Sequence, residues 1–356
     1  MNAHLNTSAI SCSPATASAR RSALPLPSPA LLRQRLPLSA SLAEGVRSDR
    51  QAIRAVLNGD DPRLLVVVGP CSLHDPASAL EFASRLAELA PQVTDQLLLV
   101  MRAYVEKPRT TIGWKGLLYD PQLDGSSDMA EGLHVSRRLM LDILASGLPI
   151  ATELLQPLAA GYYDDLLGWA AIGARTSESQ IHRELVSGLG LPVGFKNGTD
   201  GSLGIACDAM RSAAHPHQHF GLDDLGHPAL ISTSGNPDTH LVLRGGHSGP
   251  NYDVRSVAQA RETLLRQGLA ARIMVDCSHA NSGKNPLRQP AVLQSVIGQR
   301  LAGDTCLRGV MLESHLLDGC QPLTADLRYG VSITDGCLGW RSTEQMLLDA
   351  AQRLRG

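Results

Sequence analysis

The sequence predicts an α/β chain folded as a (β/α)8 barrel, and three observations carry that expectation. Eight short aliphatic or β-branched runs recur along the chain, each is followed by a loop and a segment of helical apolar spacing, and each ends in chemistry. The runs are Leu64–Val68, Leu97–Met101, Pro149–Thr152, Ala170–Gly173, Pro192–Phe195, Leu241–Leu243, Arg272–Val275 and Gly309–Leu312. Helical spacing marks Pro76–Leu89, Asp128–Ala145, Leu158–Leu167, Ser177–Gly188, Ser202–Ala213, Val254–Gln267 and Pro290–Ala302 between them. A doubly wound open sheet needs fewer strands and usually opens on a glycine-rich turn; neither G-x-G-x-x-G nor G-x-x-x-x-G-K-[ST] occurs.

Ahead of the first run, residues 1–43 hold no Asp or Glu, and positions 1–30 are rich in Ser, Ala and Pro. Such a stretch buries too little apolar area to offset its ordering entropy, so 1–30 is expected to be a disordered tail. Its serines and the Arg20–Arg21 pair share features with organellar transit peptides, but the prolines break the amphipathic helix such a leader uses. Residues 31–62 read as an N-terminal extension: Leu31–Leu38 as a structured segment able to pack on a partner subunit, Glu44–Leu57 as a helix. The catalytic barrel is expected over 63–356.

The chain of 356 residues has 32 basic and 34 acidic side chains, which excludes a broad nucleic-acid surface but permits a local cluster of cations. No apolar run approaches the roughly 20 residues of a membrane span. The seven cysteines (Cys12, Cys71, Cys207, Cys277, Cys306, Cys320, Cys337) form no C-x-x-C pair and follow no secretory leader, so a reducing, cytoplasmic setting is expected. Only Lys107, Lys115, Lys196 and Lys284 are lysines, leaving 28 arginines. A chain this rich in guanidinium keeps lysine as a candidate wherever a compact ammonium is needed.

In a barrel all eight C-terminal strand ends meet on one face. The runs lead in turn to Cys71, Arg102, Glu153, Arg175, Lys196, Arg244, Asp276 with His279, and Glu313. Arg102, Lys107, Arg109, Arg175, Lys196 and Arg244 would place six cations at one mouth, where their repulsion calls for a polyanionic ligand. The loop Gly173–Gln180 adds backbone amides before a helix start, a favoured phosphate site. Cys71, His279, Glu313 and Asp335 offer thiolate, imidazole and carboxylates, a donor set suited to one divalent Mn, Fe, Co or Zn ion. Isolated surface ion pairs, a buried cysteine and a satisfied core histidine would explain any one of these residues, but not their shared placement.

These motifs resemble one family. Val66–Pro76 (VVVGPCSLHDP), Met101–Leu117 (MRAYVEKPRTTIGWKGL), Ile172–Leu189 (IGARTSESQIHRELVSGL) and Pro192–Ser202 (PVGFKNGTDGS) are similar to the type I 3-deoxy-D-arabino-heptulosonate-7-phosphate (DAHP) synthases. So are Leu243–Tyr252 (LRGGHSGPNY), Val275–Ser282 (VDCSHANS) and Val310–Leu316 (VMLESHL), and the likeness runs from about Leu31 to the C-terminus. The resemblance implies condensation of phosphoenolpyruvate with erythrose 4-phosphate and water, giving the seven-carbon sugar acid and phosphate, the first step of the shikimate pathway. It implies metal ligation by Cys71, His279, Glu313 and Asp335. It also implies phosphoenolpyruvate contacts from Arg102, Lys107, Gly173, Ala174, Arg175, Lys196 and Arg244. Lys107, Pro108, Arg109, Thr110 and Asp335 would hold erythrose 4-phosphate, and Lys107, Glu153 and His279 would move protons.

The same resemblance implies a homodimer or homotetramer, and inhibition by an aromatic amino acid bound near a hairpin inserted after strand five, here 217–233. Gly190 and Gly221, with His219 nearby, stand where Phe-sensitive relatives look Ser-like, so Tyr is the expected effector. Three other readings compete. An eight-carbon sugar-acid synthase would use arabinose 5-phosphate, against which the KPRT motif speaks. A catalytically silent homologue would show substituted ligand positions, and none is seen. A Schiff-base aldolase would act through Lys196.

Overall fold

The computed structural model describes residues 23–356, so residues 1–22 of the tail expected over 1–30 lie outside the described residues. Residues 23–28 run extended into α1 (Pro29–Arg35), capped by Ser28, so the tail boundary expected at residue 30 falls inside a helix. The Pro27 carbonyl accepts a hydrogen bond from the Tyr162 hydroxyl at 2.6 Å. Leu32 and Leu36, in the Leu31–Leu38 segment expected to be structured and able to pack on a partner subunit, are buried within their own chain. Arg33 ties the same helix to Asp164 at 2.6 Å.

Helix α2 (Ala40–Asn58) starts at the Ser39 cap and stops at Gly59, whose φ of +89° gives the left-handed turn that a glycine accommodates at a helix end. Its Ile53, Val56 and Leu57 join Leu65, Val67, Val100, Trp169, Val242, Met274 and Met311 in one apolar cluster. That cluster is the barrel interior, and α2 plugs its N-terminal end.

The barrel follows in chain order: β1 (Leu64–Gly69), α3 (Pro76–Val93), β2 (Leu97–Arg102), α4 (Met129–Ala145), β3 (Ile150–Glu153), β4 (Trp169–Ile172), α5 (Gln180–Ser187) and β5 (Val193–Lys196). Then come α6 (Gly204–Ala213), the antiparallel pair β6 (Gln218–Leu222) and β7 (Pro228–Ser232), β8 (Thr239–Leu243), α7 (Val254–Arg266), β9 (Ile273–Asp276), α8 (Gln289–Leu301) and β10 (Leu307–His315). Strands β1, β2, β3, β4, β5, β8, β9 and β10 are neighbours in that order, all parallel, and β1 pairs with β10 to close the ring. Closure leaves no open edge, and the pleat alternates side chains between two cores. Leu65 and Val67 face inward, while Leu64, Val66 and Val68 pack under the helices.

All eight expected strands form within two residues of their predicted starts. The hairpin β6–β7 occupies the expected insertion. The expected helix over Leu158–Leu167 does not form: the segment makes two short 3-10 turns, Pro157–Tyr162 and Asp164–Leu166. Long-range hydrogen bonds draw it off α geometry. Tyr163 donates to Glu106 at 3.1 Å, and the buried Arg137 grips Asp165 through both terminal nitrogens at 2.7 and 2.8 Å. The chain closes with β11 (Leu338–Gly339), paired to the end of β10, and α9 (Trp340–Arg355). None of the described helices is long and apolar enough to cross a membrane.

Candidate active site

One cavity of about 260 Å³ opens at the C-terminal strand ends. Arg102, Lys107, Pro108, Arg109, Thr110, Glu153, Gly173, Ala174, Arg175, Lys196, Arg244, His279 and Asp335 all line it, which brings together every substrate residue expected from the sequence. Cys71 and Glu313 lie in its wall, joined to it by Lys107 and Arg102. Gly190, His219 and Gly221 are elsewhere, on the α5–β5 connection and the hairpin. A β-carbon at Gly190 would meet open space, whereas one at Gly221 would meet Ile231 at 2.6 Å. The stem of the hairpin reaches α5 through Ser187 and Thr233, whose hydroxyls are 2.7 Å apart.

The six expected cations are not six free charges. Arg102 is buried, pairs with Glu313 at 3.0 Å, donates to the Pro70 and Cys71 carbonyls and stacks 3.4 Å over the Tyr104 ring. Lys107 pairs with Asp335 at 2.7 Å, and the buried Lys196 with Asp276 at 3.2 Å. Burial alone would lower the Lys196 pKa, but Asp276 and Tyr104 outweigh it and hold the ammonium charged. That disfavours Lys196 as a Schiff-base nucleophile.

Four cavity cations have no carboxylate within ion-pair distance among the described residues. Arg109 donates only to the Trp114 carbonyl, Arg175 to the Thr110 hydroxyl and Arg244 to the Gly245 carbonyl; the ammonium of the fourth, Lys284, makes no hydrogen bond among the described residues. Half of the expected repulsion is thus relieved inside the wall, and the unpaired charge sits at the rim.

The Cys71 Sγ and carboxylate oxygens of Glu313 and Asp335 lie within 4.8 Å of one another. His279 stands just outside this triad, its Nε2 4.0 Å from Glu313 Oε1. The buried Asp276 carboxylate engages His279 Nδ1 at 2.9 Å, which leaves Nε2 turned toward the triad, as a carboxylate does behind an imidazole that binds a metal. One thiol, two carboxylates and one oriented imidazole fit a divalent transition metal better than Mg or Ca, which prefer oxygen alone. Burial works to raise the Asp335 pKa, but Lys107, His279 and Lys284 pull it well below the usual carboxylate range.

Glycine at 173 has a local cause: a β-carbon there would run into Glu153 Oε1, so the bare backbone lets that carboxylate lie against the end of β4. Gly116 similarly lets the 107–118 loop close on the Val105 carbonyl.

Three residues around the site carried no assignment from the sequence. Asp276 was visible at a strand end, but its two partners were not. Lys284 was left outside the motifs. Glu106 is the third, buried beside Lys107, where it accepts hydrogen bonds from Tyr163 and Tyr119 at 3.1 and 3.2 Å and from the Leu155 and Gln156 amides at 3.3 Å each. It thereby ties the segment bearing Lys107 to the loop after Glu153.

Burial pushes the Glu106 carboxyl up to about 7 against the pull of those four donors. Between the ordinary carboxyl value and pH 7 the folded chain therefore holds a proton that the unfolded chain has lost. Stability falls across that window as pH rises, by up to ~3 kcal/mol, and levels off above it. Glu106→Gln is expected to flatten this slope in denaturant titrations from pH 5 to 8; parallel curves for the two proteins would remove the assignment.

A model of the DAHP synthetase I family matches residues 39–348. The chain is 50% identical over 334 residues to the Tyr-sensitive phospho-2-dehydro-3-deoxyheptonate aldolase of Escherichia coli (strain K12), covering 93% of this chain and 94% of that protein. The chain belongs to the DAHP synthetase I family. The Phe-sensitive enzyme of the same strain is 49% identical over 329 residues, 92% of this chain and 94% of its own length, so overall identity does not separate the two effectors. A solved phospho-2-dehydro-3-deoxyheptonate aldolase of Francisella tularensis SCHU S4 superimposes with a TM-score of 0.91 at 42% identity, covering 95% of this chain and all of that one.

Proposed function

We propose that this DAHP synthetase I family member condenses phosphoenolpyruvate with erythrose 4-phosphate and water, releasing phosphate. The observation that supports it most is the division of the mouth into a buried, charge-neutralised wall and a rim of unpaired cations around one cavity. Two phosphorylated substrates match that rim, and a carbonyl that must be polarised matches the donor cluster.

In this reading Arg102, Lys196, Arg175 and Arg244 hold the enol phosphate, with the Gly173 and Ala174 backbone beside it. Lys107, Pro108, Arg109 and Thr110 hold the aldehyde substrate together with Asp335. Cys71, Glu313 and Asp335, with His279 beside them, would hold a divalent ion, and that ion would supply Lewis acidity for polarising the aldehyde. C3 of the enol phosphate forms the new bond to the aldehyde carbon, water adds at C2, and the C–O bond to phosphate breaks. Lys107 delivers the proton to the new hydroxyl, and Glu153 takes one from water, since both ring nitrogens of His279 are engaged, Nδ1 by Asp276 and Nε2 toward the donor cluster. Orientation by the two clamps can supply about 7–11 kcal/mol of the barrier reduction.

The test is phosphate release from the two substrates, before and after chelation and metal add-back, with arabinose 5-phosphate as the competing aldehyde. Release with erythrose 4-phosphate that needs metal is expected; none with metal present, or a preference for the pentose, would overturn the reading. Feedback inhibition by Tyr at Gly190, His219 and Gly221 belongs to the same proposal. Selective inhibition by Phe or Trp would reject it.

A further inference from the structure

The fourth lysine has no place in the scheme above. Of the four lysines, Lys107, Lys196 and Lys284 line the cavity at the strand ends, whereas Lys115 lies over the Tyr119 ring, outside it. In a chain that uses arginine for almost every other cation, three ammonium groups at one mouth are a concentration that a solvated surface does not explain.

The backbone gives a second, independent observation. Gly283 and Lys284 adopt successive left-handed conformations, with φ of +60° and +62°, and the Lys284 amide donates to the His279 carbonyl at 2.7 Å. The left-handed region disfavours a residue with a β-carbon, and such outliers cluster at ligand clamps. His279 itself has φ of +52°. The turn hangs from the backbone carbonyl of His279 and presents an exposed lysine at the rim.

Its position narrows the role. The β8 and β9 ends, which carry Arg244 and Lys284, are adjacent in the ring, and β8 stands four strands from β2, whose loop bears Arg109 and Thr110. Arg175 leans toward that opposite side, donating to Thr110 at 3.3 Å. Arg244 and Lys284 are then the two unpaired cations away from the Arg109–Thr110 arm of the aldehyde clamp, Lys284 standing on the side of His279 and Asp335.

We propose that Lys284 is a further binding residue for the phosphoryl group of the enol phosphate, completing with Arg244 the side of the pocket away from the Arg109–Thr110 arm of the aldehyde clamp. This rests on the substrate reading given above. The ammonium donates hydrogen bonds to phosphoryl oxygens and acts as a point charge without transferring a proton. Because it is exposed, its contribution weakens with salt.

Lys284→Asn removes the charge while keeping a residue that tolerates left-handed backbone. It is expected to raise KM for phosphoenolpyruvate about tenfold and to leave KM for erythrose 4-phosphate within about twofold. Competitive inhibition by inorganic phosphate should weaken by the same factor, and Lys284→Arg should recover part of the loss. Arg288→Gln, which removes a neighbouring charge outside the cavity, is the control and should change neither constant. Calorimetric titration of phosphoenolpyruvate needs no turnover and separates the two levels of inference. A parent protein that binds phosphoenolpyruvate but releases no phosphate overturns the functional reading, while equal affinities in parent and Lys284→Asn overturn the role of Lys284. A KM effect confined to erythrose 4-phosphate also overturns it.

Discussion

Lys107→Ala is expected to lower kcat by about 10³-fold or more, within the upper range for loss of a positioned proton donor, while Lys115→Ala changes it by less than about twofold. The two lysines share one loop and one residue type, so the contrast isolates position. The Lys107 ammonium is 2.8 Å from Cys71 Sγ and 2.7 Å from Asp335 Oδ2, buried in the cavity wall. Lys115 reaches only the face of Tyr119, 5.9 Å from the ring centre. Burial would lower the Lys107 pKa, but Cys71, Glu313 and Asp335 outweigh it and raise it, so the group is held protonated through neutral pH and yields its proton only to a base as strong as the alkoxide of the new hydroxyl. Asp335 keeps 44% side-chain exposure, so losing its partner leaves a hydrated carboxylate and the fold should survive. Measured kcat, with circular dichroism to verify folding, checks the expectation. Equal effects at the two positions would strip Lys107 of its role.

The barrel was legible because its strands are runs buried on both faces, a pattern that short sequence windows retain, and because the chain places chemistry at each strand end. What joins those ends was not legible. Arg102 and Glu313 are 211 residues apart, and nothing local marks them as partners. Counting cations therefore overstated the free charge at the mouth: ion pairing is a tertiary property. Glu106 beside Lys107 reads as one more solvated acid until two tyrosines and two amides from other segments surround it. Lys284 shows the opposite failure. A left-handed turn after a glycine carries little sequence signal when the next residue is a lysine. The lost helix at Leu158–Leu167 had the right apolar spacing, but Arg33, Arg137 and Glu106 hold its polar groups in tighter turns.

Cys71→Ala is expected to abolish tight binding of a divalent transition ion and to lower metal-supported turnover by about 10³-fold or more, an effect of the size seen when polarisation worth several kcal/mol is withdrawn. The sulfur is the only soft donor in the set, and it is fully buried, its backbone amide anchored on Cys337 Sγ at 3.3 Å. Removing it leaves two carboxylates and one imidazole, a set that still attracts hard cations but loses its preference for thiophilic ones. Burial and then Glu313 push the Cys71 thiol up, so the sulfur packs as a neutral group when no divalent ion draws off its proton, and alanine replaces it with little strain. Cys207→Ala, buried on α6 away from the mouth, is the matched control and should retain both metal and turnover. Elemental analysis of the two variants after metal loading and gel filtration reads the ligand role without depending on catalysis. Stoichiometric metal on Cys71→Ala, with turnover near that of the parent, would show that the thiol is only packing and that His279 must close the site with the two carboxylates.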